Sequence, residues 1–202
     1  MRMPGSPSCG RNAASGWRRA ARPAFTVIEL LIVCAIIAIV AAFAFPKVNF
    51  TQFRVDAAAR TIRVSLQNAE RLAVTRQYDV VVAFDTANSR LRILEDNNNN
   101  ATVDPGEHVI YAQLEDSVRF AVPPTGISGP AGAAISGGSL RTIDGMPSVI
   151  FHRDGAASTD LEIYITSKRA QADDYRCVKV TQSTGRTLWW RYVNQQWTQA
   201  SL

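Results

Sequence analysis

From Phe25 to Phe45 the chain is apolar for 21 residues, broken only by Thr26 and the single charge of Glu29. As a helix rising about 1.5 Å per residue, this run is roughly 31 Å long, close to the thickness of a bilayer's hydrocarbon core. Beyond Pro46 the pattern becomes amphipathic. Val55, Ala58, Ala59, Ile62, Leu66, Ala69 and Ala73 return at three- and four-residue steps, with Arg54, Arg60, Arg63, Gln67, Glu70 and Arg71 between them. That spacing predicts a helix to about Arg76 whose apolar stripe packs on a sheet. Joined to the first run, it predicts one long helix kinked at Pro46. After Gln77 short β-rich segments take over: Tyr78–Phe84, Leu91–Leu94, His108–Leu114, Val118–Val122, Val149–His152, Leu161–Thr166, Tyr175–Thr181 and Thr187–Val193. They are rich in Val, Ile, Tyr and Trp and are separated by turn residues. Residues 123–147, with six glycines, read as a long loop that is mobile or faces a partner. The fold class is α+β, with 77–202 as one β-rich domain holding one modest core.

Charge sharpens the N-terminal reading. A carboxylate at mid-membrane costs about 2.5–3.5 kcal/mol and less near the interface, so Glu29 is expected to have a partner. Residues 1–24 carry Arg2, Arg11, Arg18, Arg19 and Arg22 and no acid or lysine. Such a flank holds the N-terminus in the cytoplasm and sends the rest across. The small residue Ala24 precedes the apolar run, whereas a secretory signal is cut after it. The formal charge of +5 and the pI near 9.4 suggest a nucleic-acid partner at first sight. Without those five arginines, however, 17 basic residues face 17 acidic ones, so the basicity belongs to the N-terminal segment. Of the three cysteines, Cys9 and Cys34 lie before Pro46 and only Cys177 after it. The β-rich domain therefore holds no internal disulfide, and Cys177 is expected to be a small buried residue.

The segment Ala24-Phe25-Thr26-Val27-Ile28-Glu29-Leu30 resembles the processing signal of type IV prepilins and type II secretion pseudopilins. The resemblance implies that a prepilin peptidase cuts between Ala24 and Phe25 and N-methylates Phe25. It also makes Glu29 the fifth mature residue, and it places Pro46 where the family has a helix-kinking proline. One position departs from the pattern: Ala24 stands where glycine is usual, which implies slower processing. The new amine of Phe25 would pair with the Glu29 carboxylate of a neighbouring subunit and set the register between helices. The run Phe151-His152-Arg153-Asp154-Gly155, then Leu161–Thr166, then Val178-Lys179-Val180 and Ser183-Thr184-Gly185-Arg186, is similar to the end of the GspH/FimT branch. That resemblance implies a long helix, its first half membrane-spanning (25–46) and its second amphipathic (47–76), packed on a two-sheet, sandwich-like domain. The implied role is a GspH-like minor pseudopilin of a type II secretion system, acting in protein secretion. The alternative is a FimT/FimU-like minor pilin for type IV pilus assembly or, further off, DNA uptake. Expected partners are a prepilin peptidase, other pilin or pseudopilin subunits, an inner-membrane assembly platform and the lipid bilayer. The expected location is the inner membrane, single-pass, with the C-terminal domain in the periplasm.

Two further stretches carry candidate chemistry. In 96–107, oxygen-bearing side chains fall at Asp96, Asn98, Asn100, Asp104 and Glu107, with the Thr102 carbonyl between them. This is the spacing of an EF-hand-type calcium loop, although Ala101 replaces the glycine of the sharp turn and the flanks read as strands. A polar hairpin turn explains the asparagines equally. The second stretch is Gly185-Arg186-Thr187-Leu188. Some minor pilins of this branch are thought to bind DNA through Gly-Arg-x-Arg, but here the second arginine is missing. Arg191 follows beside Trp189 and Trp190, an arrangement able to serve as a single-strand platform. In the blander reading, Leu188 and Trp190 point into the core and Arg186 sits in a turn. Nucleic acid is therefore not an expected partner. No cofactor is required, calcium being the sole candidate, and no catalytic constellation emerges: His108 and His152 lack metal-ligand spacing and no triad or phosphate loop is present.

Overall fold

The computed structural model describes residues 25–44, 50–130 and 140–200. It divides into two compact units, Met1–Val48 and Asn49–Leu202. The first contains α1, Val27–Ala44. These 18 residues extend about 27 Å, short of a hydrocarbon core of about 30 Å. Among the described residues no helix is long and apolar enough to cross a membrane. Phe25 and Thr26 precede the helix, and Phe45 and Pro46 lie outside the described residues, as does the predicted kink.

The second unit is built on α2, Phe50–Arg76. Its stripe is buried as the spacing predicts: Val55, Ala59, Ile62, Leu66, Ala69 and Ala73 are wholly inaccessible and Ala58 nearly so. Four of these seven are alanines, which let the helix backbone approach its neighbours closely while Ile62 and Leu66 supply apolar volume. Among the described residues ten antiparallel strands form two sheets. The first has the order β3-β2-β1-β6-β5 and the second β10-β9-β8-β7-β4. They comprise β1 (Asp79–Asp85), β2 (Arg90–Asp96), β3 (His108–Gln113), β4 (Val118–Phe120), β5 (Arg141–Ile143), β6 (Met146–Phe151), β7 (Leu161–Ser167), β8 (Arg176–Val180), β9 (Thr187–Val193) and β10 (Gln196–Gln199). One core joins α2 to both, taking Val80, Val82 and Phe151 from the first sheet and Ile163, Val178 and Trp189 from the second. The α+β, two-sheet architecture is thus as expected.

Two strands depart from the sequence reading. β5 lies inside the stretch read as loop, and it pairs with β6 across Asp144-Gly145, both at positive φ. β10 closes the second sheet after Asn194-Gln195, again a pair at positive φ, the turn geometry whose twist matches a hairpin. The phase of β9 also differs. Trp189 is the buried core residue, whereas Leu188 and Trp190 lie half-buried on the other face. Register explains this: Trp189 pairs with Val178, whose side chain faces α2, and Trp190 pairs with Cys177 on the outer face.

Candidate functional site

At the start of α1, the Thr26 hydroxyl accepts the Glu29 backbone N–H at 3.2 Å. Thr-x-x-Glu is the sequence of a capping box, so Glu29 stands in the first turn beside free N–H groups where a carboxylate is favoured. Both Phe25 and Glu29 are exposed. Ala24, on the other side of the predicted cut, lies outside the described residues.

The 97–107 loop joins β2 to β3 and is organised by its acids. Buried Asp96 accepts the N–H groups of Asn100 at 3.1 Å and Ala101 at 2.6 Å through separate oxygens. Glu107 accepts those of Asn97 and Asp104 at 3.1 and 3.0 Å. Asp104 Oδ2 takes the side-chain amides of Asn98 and Asn100 at 2.8 and 2.6 Å, which hold its carboxyl below the usual range. Thr102 N–H and hydroxyl both donate to Asn100 Oδ1, at 2.8 and 2.7 Å. The three carboxylates therefore serve N–H donors instead of one central point. Among the described residues no group of three His, Cys, Asp or Glu side chains is placed to hold a metal ion. To bind calcium these carboxylates would have to give up their N–H donors. What the loop does instead is cover the outer face of the first sheet: Ala101, at φ 59°, buries its methyl in a cluster with Val81, Leu94, Ile143 and Ile150. A glycine there would leave that space empty.

In the 183–186 turn, Gly185 has φ +62°, and a Cβ on it would stand 2.3 Å from the Gly155 carbonyl oxygen and 3.1 Å from Glu70 on α2. Glycine is required there because two turns and the helix meet. Burial at this junction pushes the Glu70 carboxyl up. Arg186 is exposed. Arg191 is turned toward Asp56 of α2, at 4.0 Å, with its guanidinium 5.7 Å from the Trp189 ring centre. The Trp189 ring is buried and offers no face to a base. Gly185, Arg186 and Arg191 thus form no shared surface platform.

Asp56 holds a second partner, of which the sequence carries little sign. Arg176 on β8, nearly inaccessible, donates Nε–H to it, and its Nη1 donates to the Asp173 and Tyr175 carbonyls at 2.7 and 2.9 Å. The only signal is that Asp56 is the single acid between Phe50 and Ala69. Cys177 is buried as expected, and that burial, with Glu162 nearby, pushes its thiol up.

The family model described as type II transport protein GspH matches residues 58–185, more than half of the chain. The chain belongs to the GspH family. A second model, the prokaryotic N-terminal methylation motif, matches residues 19–45, which include Ala24, Phe25 and Glu29. Among solved structures, the GspH-family chain is similar to the minor pseudopilin EpsH of the type 2 secretion system of Vibrio cholerae. The identity is 15%, coverage is 66% of this chain and 94% of that chain, and the TM-score is 0.45. No curated protein matches it.

Proposed function

We propose that this GspH-family chain is a minor pseudopilin, a structural subunit that joins a periplasmic filament of a type II secretion system. The carrying observation is the order of two matched regions in one chain, a methylation motif over 19–45 followed by a GspH domain over 58–185. In this reading the arginine-flanked segment keeps the N-terminus in the cytoplasm, and the apolar run from Phe25 anchors the subunit in the inner membrane. A prepilin peptidase cleaves before Phe25 and methylates the new amine. The exposed Glu29 carboxylate then meets the cationic amine of a neighbouring pilin-like subunit at the assembly platform, compensating a charge that lipid solvates poorly. The β-rich unit gives the filament its outward surface.

Intact-mass analysis after co-expression with a prepilin peptidase is the test. A product that begins at Phe25 and carries one added methyl group is expected, and Glu29→Leu should be inserted and processed yet fail to enter filaments. An uncleaved chain that Ala24→Gly does not rescue, or normal incorporation of Glu29→Leu, removes the assigned roles.

A further inference from the structure

The first sheet ends in an open edge. Among the described residues β3 pairs with β2 on one side and with no strand on the other. The Leu114 N–H donates to the Ser89 carbonyl at 3.0 Å, which fixes the phase of the ladder. In an antiparallel pair, hydrogen-bonded and non-hydrogen-bonded residues alternate, so His108, Ile110 and Ala112 bond to β2. The N–H and C=O groups of Val109, Tyr111 and Gln113 then point away from the sheet, and none has a backbone partner among the described residues. Beside this edge runs a groove of about 780 Å³ between β3 and α2. Ile93, Ile110, Ala112, Ala69 and Leu72 give it an apolar floor, with Ile110 itself 39% exposed. Arg71 and Arg76 stand on its α2 side, both exposed and neither in an ion pair among the described residues.

We propose that this groove receives an extended acidic peptide segment of a partner protein, which adds to the first sheet as a strand beside β3. Three features select that occupant together. The outward N–H and C=O groups at every second residue need a strand. The floor takes apolar side chains at alternate positions of that strand. Arg71 and Arg76, five residues apart and so about 7.5 Å along the helix axis, give the α2 side of the groove a positive charge that favours a segment carrying carboxylates. A helix would satisfy the floor but leave the edge groups unpaired. The inference deepens the filament reading by naming the chemistry of a partner, and it rests on that reading only for where such a segment comes from.

The probe is a fluorescent peptide, Glu-Glu-Val-Thr-Val-Thr-Val-Glu-Glu, titrated against the full chain in detergent, with the same peptide carrying lysine for glutamate as control. Saturable binding of the acidic peptide alone is expected, weakening as salt rises. It should fall at least tenfold in the double variant Arg71→Glu, Arg76→Glu, and it should fall in Tyr111→Pro, which removes one outward N–H at an edge where proline is tolerated. Amide exchange at Val109, Tyr111 and Gln113 should slow on binding. Circular dichroism of both variants checks that they are folded; if either is not, the exchange measurement on the unmodified chain decides alone. No binding, equal binding of the lysine peptide, or protection outside β3 overturns the proposal. Correct processing and filament entry with no peptide binding would sink the groove while leaving the filament reading intact.

Discussion

At the scale of single residues, one carboxylate carries much of the helix-to-sheet junction. Asp56 lies on α2 and Arg176 on β8, 120 residues later, and the arginine is almost wholly removed from water. Two carbonyls satisfy its Nη1, but among the described residues only Asp56 neutralises its charge. Removing one partner of a buried pair costs more than the pair is worth, because the other charge stays buried. Asp56→Ala is therefore expected to destabilise the folded chain by about 3 kcal/mol, the lower end of the range for such pairs because Asp56 keeps some exposure. Arg176→Met, which removes the buried charge itself, should cost less. Urea denaturation of the two variants checks the ordering, and a costlier Arg176→Met would refute it.

At the scale of elements, α2 was the most legible part of the chain. All seven stripe residues were readable from spacing because a helix with one wet face leaves a 3.6-residue signature. The short strands were harder. β10 is only four residues at a sheet edge, three of them exposed and Trp197 its one apolar side chain, so it is too short for alternation to mark it. β5 had a readable signal in Asp144-Gly145, masked by the glycine-rich stretch before it. In the 97–107 loop the ligand-like spacing coincides with acids that cap their own backbone. Asp96→Ala should lose two buried acceptances and the seat of Ala101, costing about 2 kcal/mol. Thermal melting in millimolar calcium and in chelator tests the loop directly. Equal melting temperatures, with the Asp96→Ala loss the same in both, are expected; a rise with calcium that Asp96→Ala abolishes would restore the cation site.

At the scale of the whole molecule, several carboxylates hold the β-rich unit in one charge state. Asp85 bonds the Asn88 side chain, Arg90 at 2.8 Å and the Asn88 N–H, which hold it at about 2. Glu95 is held down by Tyr78 first and by His108, and Asp104 by Asn98 and Asn100. A carboxyl depressed in the folded state adds stability fully above its unfolded value near 4, and that stability is lost as the pH falls through the folded value. Stability from these groups should thus be level between pH 7 and 5 and decline between about 4 and 2. Asp85→Asn should make that acid limb shallower, which melting curves across the range will show.

The pair between Asp56 and Arg176 also has a meaning in time. Chains are synthesised at about 5–20 residues per second, so the 120 residues between the two take about 6–24 s to emerge. α2 is complete early in that interval, while Ile163, Val178 and Trp189, which cover part of its stripe, are still unmade. For those seconds Ile62 and Leu66 lack the part of their cover that the second sheet supplies. The hazard for this chain is therefore greatest before β7, β8 and β9 exist, and a pause in translation near residue 160 would prolong it more than a pause anywhere after β9.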